Sequence, residues 1–109
     1  MPDRPNILLL FTDDQRAGTI GALGNPHIHT PNLDALVRRG TAYTQAYIMG
    51  GSCPAVCMPS RAMLMTGRTL FGLQGQGESI PRDHTLLGEH LRRHGYATWG
   101  TGKWHNGPE

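Results

Sequence analysis

Apolar residues enter this chain in short, separate runs, each bounded by glycine, proline or charge. The first, Asn6-Ile7-Leu8-Leu9-Leu10-Phe11-Thr12, is continuous rather than alternating and ends in Asp13-Asp14. Such a run predicts a strand covered on both faces, as in the middle of a parallel sheet. The glycine-rich stretch from Gln15 to His29 predicts loop with a short helical turn. From Thr30 to Gly40 the period changes: Leu33, Leu36 and Val37 share one helical face. Thr30 is placed to cap that helix and Pro31 to open it, where a missing N–H is harmless. Arg38 and Arg39 suit its negative end, and Gly40 stops it.

Thr41 to Tyr47 is β-prone, with Tyr43 and Tyr47 on one face, and predicts a second strand. Pro59 to Met65 predicts a second helix opened by proline and ended by Gly67. The glycine-punctuated stretch Thr69 to Arg82 has no periodicity and predicts loop. Leu87 and Leu91, spaced i,i+4 with Leu86 beside them, predict a third helix from Thr85 to His94, closed by Gly95. Tyr96 to Trp99 predicts a short last strand, and Trp99 and Trp104 are expected to pack. The alternation of strands and helices predicts an α/β fold with a mostly parallel sheet flanked by helices. Ligands of such sheets gather at the carboxyl ends of the strands. Asp13, Asp14, Lys103 and His105 are therefore expected on one edge, with the helix that follows Cys57.

The bulk numbers narrow the classes. A chain of 109 residues holds one small domain, and no repeat or linker divides it. A net charge of +2 is too small to argue for nucleic acid or an anionic membrane as partner. There is no apolar run long enough to span a bilayer. The apolar run near the N-terminus is too short for a signal-peptide core, so as written the chain predicts a cytoplasmic location. A start site further upstream would make it periplasmic or secreted. Cys53 and Cys57 lack the spacing of a redox or zinc pair, and a local disulfide between them is the bland alternative.

Three places carry candidate chemistry. Cys57 stands ahead of a helix, near its positive end, where an anion is stabilised, and Arg61 adds a permanent charge one turn on. Asp13-Asp14 is an all-oxygen pair that suits Ca²⁺ or Mg²⁺ better than Zn²⁺, with a solvated turn as the alternative. Lys103 and His105, two apart on an extended segment, would face the same side. By residue type alone, none of the three defines a reaction.

The stretch Cys57-Met58-Pro59-Ser60-Arg61 through Thr66-Gly67 resembles the signature of the type I sulfatases, Cys-x-Pro-Ser-Arg-x-x-x-x-Thr-Gly, with Leu64 at its usual place. Pro5 to Gln15 reproduce that family's Pro-Asn-Ile-Leu-x-x-x-x-Asp-Asp-Gln, and Gly102-Lys103-Trp104-His105 its Gly-Lys-Trp-His segment. Gly107 also matches, while Asn106 replaces a common leucine. The resemblance runs from Arg4 to Gly107 and implies the N-terminal, incomplete part of a sulfatase catalytic domain, residues 1–109, in an alkaline-phosphatase-like sandwich. A truncated product without activity of its own is the reading that follows if the rest is missing.

The resemblance implies that Cys57 is oxidised by a formylglycine-generating maturation enzyme to an aldehyde. The aldehyde hydrates to a geminal diol, and one diol oxygen attacks the sulfur of a sulfate ester. A serine would be left as a stable sulfate ester, whereas the sulfated diol expels sulfate by collapsing back to the aldehyde. It further implies a divalent metal, Ca²⁺ foremost with Mg²⁺ or Mn²⁺ as alternatives, on Asp13, Asp14 and the residue 57 oxygen. Arg61 steadies the charge around residue 57, Lys103 contacts sulfate and the diol, and His105 takes the diol proton. The implied substrate is a sulfate-ester small molecule or a sulfated glycan. A phosphonate or phosphate monoester hydrolase of the same superfamily is the alternative, since tetrahedral anions of similar size fit similar sites. Ser60 and Thr66 are expected to serve helix hydrogen bonds.

Overall fold

A computed structural model of the chain describes residues 4–51 and 56–107. The chain divides into two compact units, Leu9–Tyr47 and a larger one made of Met1–Leu8 with Ile48–Glu109. Cys53, and with it the expected alternative of a Cys53–Cys57 disulfide, lies outside the described residues.

The smaller unit is built around helix α1, Pro31–Arg39, and a single 3₁₀ turn, Gly21–Leu23. Proline opens α1, both arginines stand in its last turn, and Gly40 closes it with its N–H on the Leu36 carbonyl. Thr30 occupies the capping position, but its hydroxyl makes no capping bond to α1. It accepts the Gly21 N–H at 2.8 Å and donates to Asp34 Oδ1 at 2.7 Å. Asp34 Oδ1 also accepts the Ala22 N–H at 2.9 Å. The 3₁₀ turn is thus held on the first turn of α1 by two side chains. The fit is close at Gly21, where an added Cβ would stand 3.3 Å from both Asp34 Oδ2 and the Ile28 carbonyl.

In the larger unit, helix α2 spans Cys57–Thr66 and helix α3 spans Leu87–Arg93, with 3₁₀ turns at Leu70–Gly72 and Gln74–Gly77 between them. Its small core is Pro59, Ala62, Leu70 and Leu73, all buried. Gly67 ends α2 in the left-handed conformation, φ +66°, with its N–H on the Met63 carbonyl. Thr66 spends its hydroxyl on the Ala62 carbonyl at 2.7 Å, as expected of a helix-serving threonine. At the start of α3, Glu89 accepts the Leu86 N–H at 3.1 Å, satisfying one of the donors a helix start leaves over. At its end Tyr96 and Gly95 donate to the Leu91 and Arg92 carbonyls, and Arg4 donates to the Gly95 carbonyl at 3.1 Å.

Four expectations are corrected. α2 begins at Cys57, two residues before Pro59, because proline is tolerated anywhere in a first turn where N–H groups have no partner. The stretch read as loop, Thr69 to Arg82, contains the two 3₁₀ turns, which short glycine-rich segments close with i→i+3 bonds. Trp99 does not pack; it is fully exposed, while Trp104 is half-buried. The expected strands at 6–12, 41–47 and 96–99 are not formed: among the described residues no segment is a strand. Ile7, Leu8 and Leu10 stand 62, 81 and 69% exposed. A strand exists only as one member of a hydrogen-bonded ladder, and an apolar run suited to burial on both faces also needs layers to cover it. Here neither is supplied, so the parallel sheet of the expected α/β fold is not seen in these residues.

Candidate active site

The α2 start carries the site. Cys57, its first residue, is half-buried. Its Sγ lies 3.4 Å from His105 Nδ1, across 48 positions of sequence. The contact joins a thiol and an imidazole, either of which can hold the shared proton. No other described residue is a cysteine.

Two further contacts bring the 103–106 segment to α2. Arg61, only 7% exposed, donates from Nη1 to the Lys103 carbonyl at 2.7 Å. A buried guanidinium bonded to a backbone carbonyl is a structural fastening as well as a charge. Asn106, 4% exposed, donates from Nδ2 to the Met58 carbonyl at 2.8 Å, with a longer contact of 3.5 Å to the Gly77 carbonyl. Lys103 and His105 themselves are exposed. Cys57, Arg61, Lys103 and His105 thus stand in one unit, around one helix start.

The backbone at His105 is unusual. Its φ is +62°, a left-handed conformation uncommon for a residue with a Cβ, costing on the order of 1–2 kcal/mol. Such a residue persists only where its surroundings hold it. Gly77 (φ +85°) completes the support: a Cβ there would come within 2.7 Å of Pro59 Cα. Only glycine lets that turn approach the first turn of α2 so closely.

Asp13 and Asp14 belong to the smaller unit. Both are exposed, and Asp14 has φ +55°, a region that aspartate enters more readily than most residues. Among the described residues no group of three or more His, Cys, Asp or Glu side chains could hold a metal ion. The carboxylate pair supplies two hard oxygen donors, the right chemistry for Ca²⁺ or Mg²⁺ but too few to fill a coordination shell.

Two residues escaped the sequence reading. Asn106 registered only as a departure from a leucine, and Gly77 as one of several loop glycines. A polar residue directly after the histidine is the single signal that pointed to Asn106. Nothing in the sequence pointed to Gly77, because its requirement comes from Pro59, eighteen positions away.

The arrangement defines a class by its parts: a cysteine at a helix start, an arginine one turn on, and a histidine brought to the cysteine by a Lys-x-His segment. The sulfatase family model matches residues 5–109, and the chain belongs to the sulfatase family. It is 38% identical to human arylsulfatase D over 95% of its own length and 19% of the relative's. With bovine arylsulfatase A it shares 40% identity over 94% of the chain and 21% of the relative. With the ulvan-active sulfatase of Formosa agariphila it shares 35% over 95% and 20%. The chain thus spans about a fifth of the length of these relatives. No solved structure gives a significant match. Family membership implies an α/β fold, of which these residues display the helices. No helix among the described residues is long and apolar enough to cross a membrane.

Proposed function

We propose that the full protein is a sulfuric ester hydrolase whose nucleophile is made from Cys57. The observation that carries this reading is the 3.4 Å approach of Cys57 Sγ to His105 Nδ1, within a chain that matches the sulfatase family along nearly its whole length. Sγ stands in for the oxygen that residue 57 would carry after maturation by a formylglycine-generating enzyme. Formylglycine, as its hydrate, supplies an oxygen nucleophile toward sulfur.

The chain's own residues then divide the work. The N-terminal end of α2 favours negative charge at position 57. His105 Nδ1 lies where it holds or moves the proton of a group at 57. Arg61 fixes the Lys103 backbone, and the exposed Lys103 side chain offers a cation to a sulfate oxygen. Asp13 and Asp14 are proposed as ligands of a divalent cation, Ca²⁺ first and Mg²⁺ or Mn²⁺ after it, with the residue 57 oxygen as a further donor by resemblance. That cation supplies charge neutralisation at the anionic group. The substrate class is a sulfate ester, of a small molecule or of a glycan.

The test coexpresses the full-length protein with a formylglycine-generating enzyme and follows the residue 57 peptide by mass spectrometry. The expected result is conversion of Cys57 to the aldehyde, turnover of an aryl sulfate, and loss of turnover in Cys57→Ala. An unmodified Cys57 in a fully active sulfatase would refute the reading. Faster turnover of an aryl phosphate or phosphonate than of the sulfate would move the protein to the alternative hydrolase class.

A further inference from the structure

We propose that Asn106 is a positioning residue: its side-chain amide clamps the turn that carries His105 onto the start of α2, and so sets the distance between His105 and residue 57. The inference rests on the proposed role of that pair. It starts from a residue that should be costly. The Asn106 amide is 4% exposed, and its Oδ1 has no hydrogen-bond partner among the described residues. A buried acceptor left unpaired costs roughly 1–3 kcal/mol. An apolar side chain of similar size would avoid that cost, so what Asn106 contributes must lie in its Nδ2.

Nδ2 makes the only contacts that an apolar side chain could not replace. It donates to the Met58 carbonyl at 2.8 Å and approaches the Gly77 carbonyl at 3.5 Å. Met58 is the residue after Cys57, and Gly77 is the glycine seated on Pro59. One amide therefore ties three separate segments together: the α2 start, the Gln74–Gly77 turn and the 103–107 segment. The orientation of the amide is fixed by its surroundings, since rotating it would set Oδ1 against two carbonyl oxygens.

The neighbouring residue shows what the tie restrains. His105 holds φ +62° and Gly107 φ +105°, so the clamped residue sits between two left-handed positions. Besides the His105–Cys57 contact itself, the Asn106 side chain holds this turn to the helix bearing Cys57; Arg61 holds the segment at Lys103, two residues before His105. Without the clamp His105 would relax from its strained conformation, and a displacement near 1 Å at a reacting pair costs about 100-fold in rate.

The experiment uses the full-length protein expressed without the maturation enzyme, so that residue 57 stays a thiol. Alkylation of Cys57 by iodoacetamide at one fixed pH is followed on its peptide by mass spectrometry in four forms: parent, His105→Ala, Asn106→Ala and the double variant. Asn106→Ala is expected to slow alkylation about tenfold in the parent and to have no further effect once His105 is gone, as for groups acting through one contact. In the matured enzyme it should lower kcat with KM within about twofold, the pattern of an interaction lost mainly in the transition state. Asn106→Leu, which keeps the approximate volume and removes the Nδ2 donor without adding charge, should match Asn106→Ala in both assays. Equal slowing with and without His105, or none in either, would overturn the proposal. Loss of the cooperative melt in both Asn106 variants would do so too, assigning the residue to stability alone. Because the alkylation assay needs no sulfate ester, a coupled result in an enzyme inert toward sulfate esters would sink the proposed function and leave the positioning role standing.

Discussion

The two units solve the same problem, holding a polar cluster in place, by opposite means. Around Gly21 the cluster is local: Thr30 and Asp34 reach back 9 and 12 residues to the backbone N–H groups of a 3₁₀ turn. Around Cys57 it is assembled from afar: His105, Lys103 and Asn106 meet α2 over separations of 42 to 48 residues. A local cluster closes a short loop and loses little chain entropy, whereas the distant one must be supported by packing that itself has to fold. The helix-start site is therefore the region whose geometry a single remote substitution can disturb.

The largest effect is expected where carboxylates are proposed to serve chemistry. Asp13→Asn or Asp14→Asn in the full-length protein should lower bound Ca²⁺ and reduce turnover by about 100-fold or more, since a metal at an anionic group is worth several kcal/mol. Metal analysis with unchanged stoichiometry in both variants would return these two residues to the solvated-turn reading.

A smaller effect tests the long-range support. Gly77→Ala forces a Cβ to within 2.7 Å of Pro59 Cα at a φ of +85°, and overpacking with a left-handed alanine should cost about 2–4 kcal/mol of stability. A denaturant melt reads the loss, and Cys57 alkylation should slow with it. The matching change in the local region, Gly21→Ala, meets its nearest atoms at 3.3 Å and should cost less. Equal losses would erase the contrast between the two clusters.

The smallest effect is in pH. The Ala22 N–H, followed by the Thr30 hydroxyl, holds the Asp34 carboxyl below its ordinary value of 3.8. Both bonds favour the ionised form, so the stability they contribute is complete above that value and fades as pH falls through the lowered one. Asp34→Asn should lower stability slightly above about pH 5, where the ionised carboxylate contributes, and converge on the parent as pH falls, so that this part of the acid limb is flatter. A parent and variant with parallel profiles down to acid unfolding would show that the carboxylate gains nothing from its two donors.

All three helices were legible along the chain because their signals are local. α1 follows from Pro31, its leucine spacing and Gly40; α2 stops at Gly67 because glycine takes φ +66° without strain; α3 follows from its leucines and the closing Gly95. The motif residues were legible for a different reason: their types at those spacings resemble one family, whatever their surroundings. What only the tertiary structure decided is which of them meet. Sequence spacing could put Lys103 and His105 near each other, but only folding brought His105 to Cys57, buried Arg61 against the Lys103 carbonyl, and made Gly77 obligatory through Pro59. The expected strands mark the same boundary from the other side. An apolar run such as Ile7 to Phe11 states that it suits burial, yet a strand is a relation between two segments. Hydrophobic pattern belongs to one stretch of chain, whereas pairing, burial and left-handed strain at His105 belong to contacts between stretches.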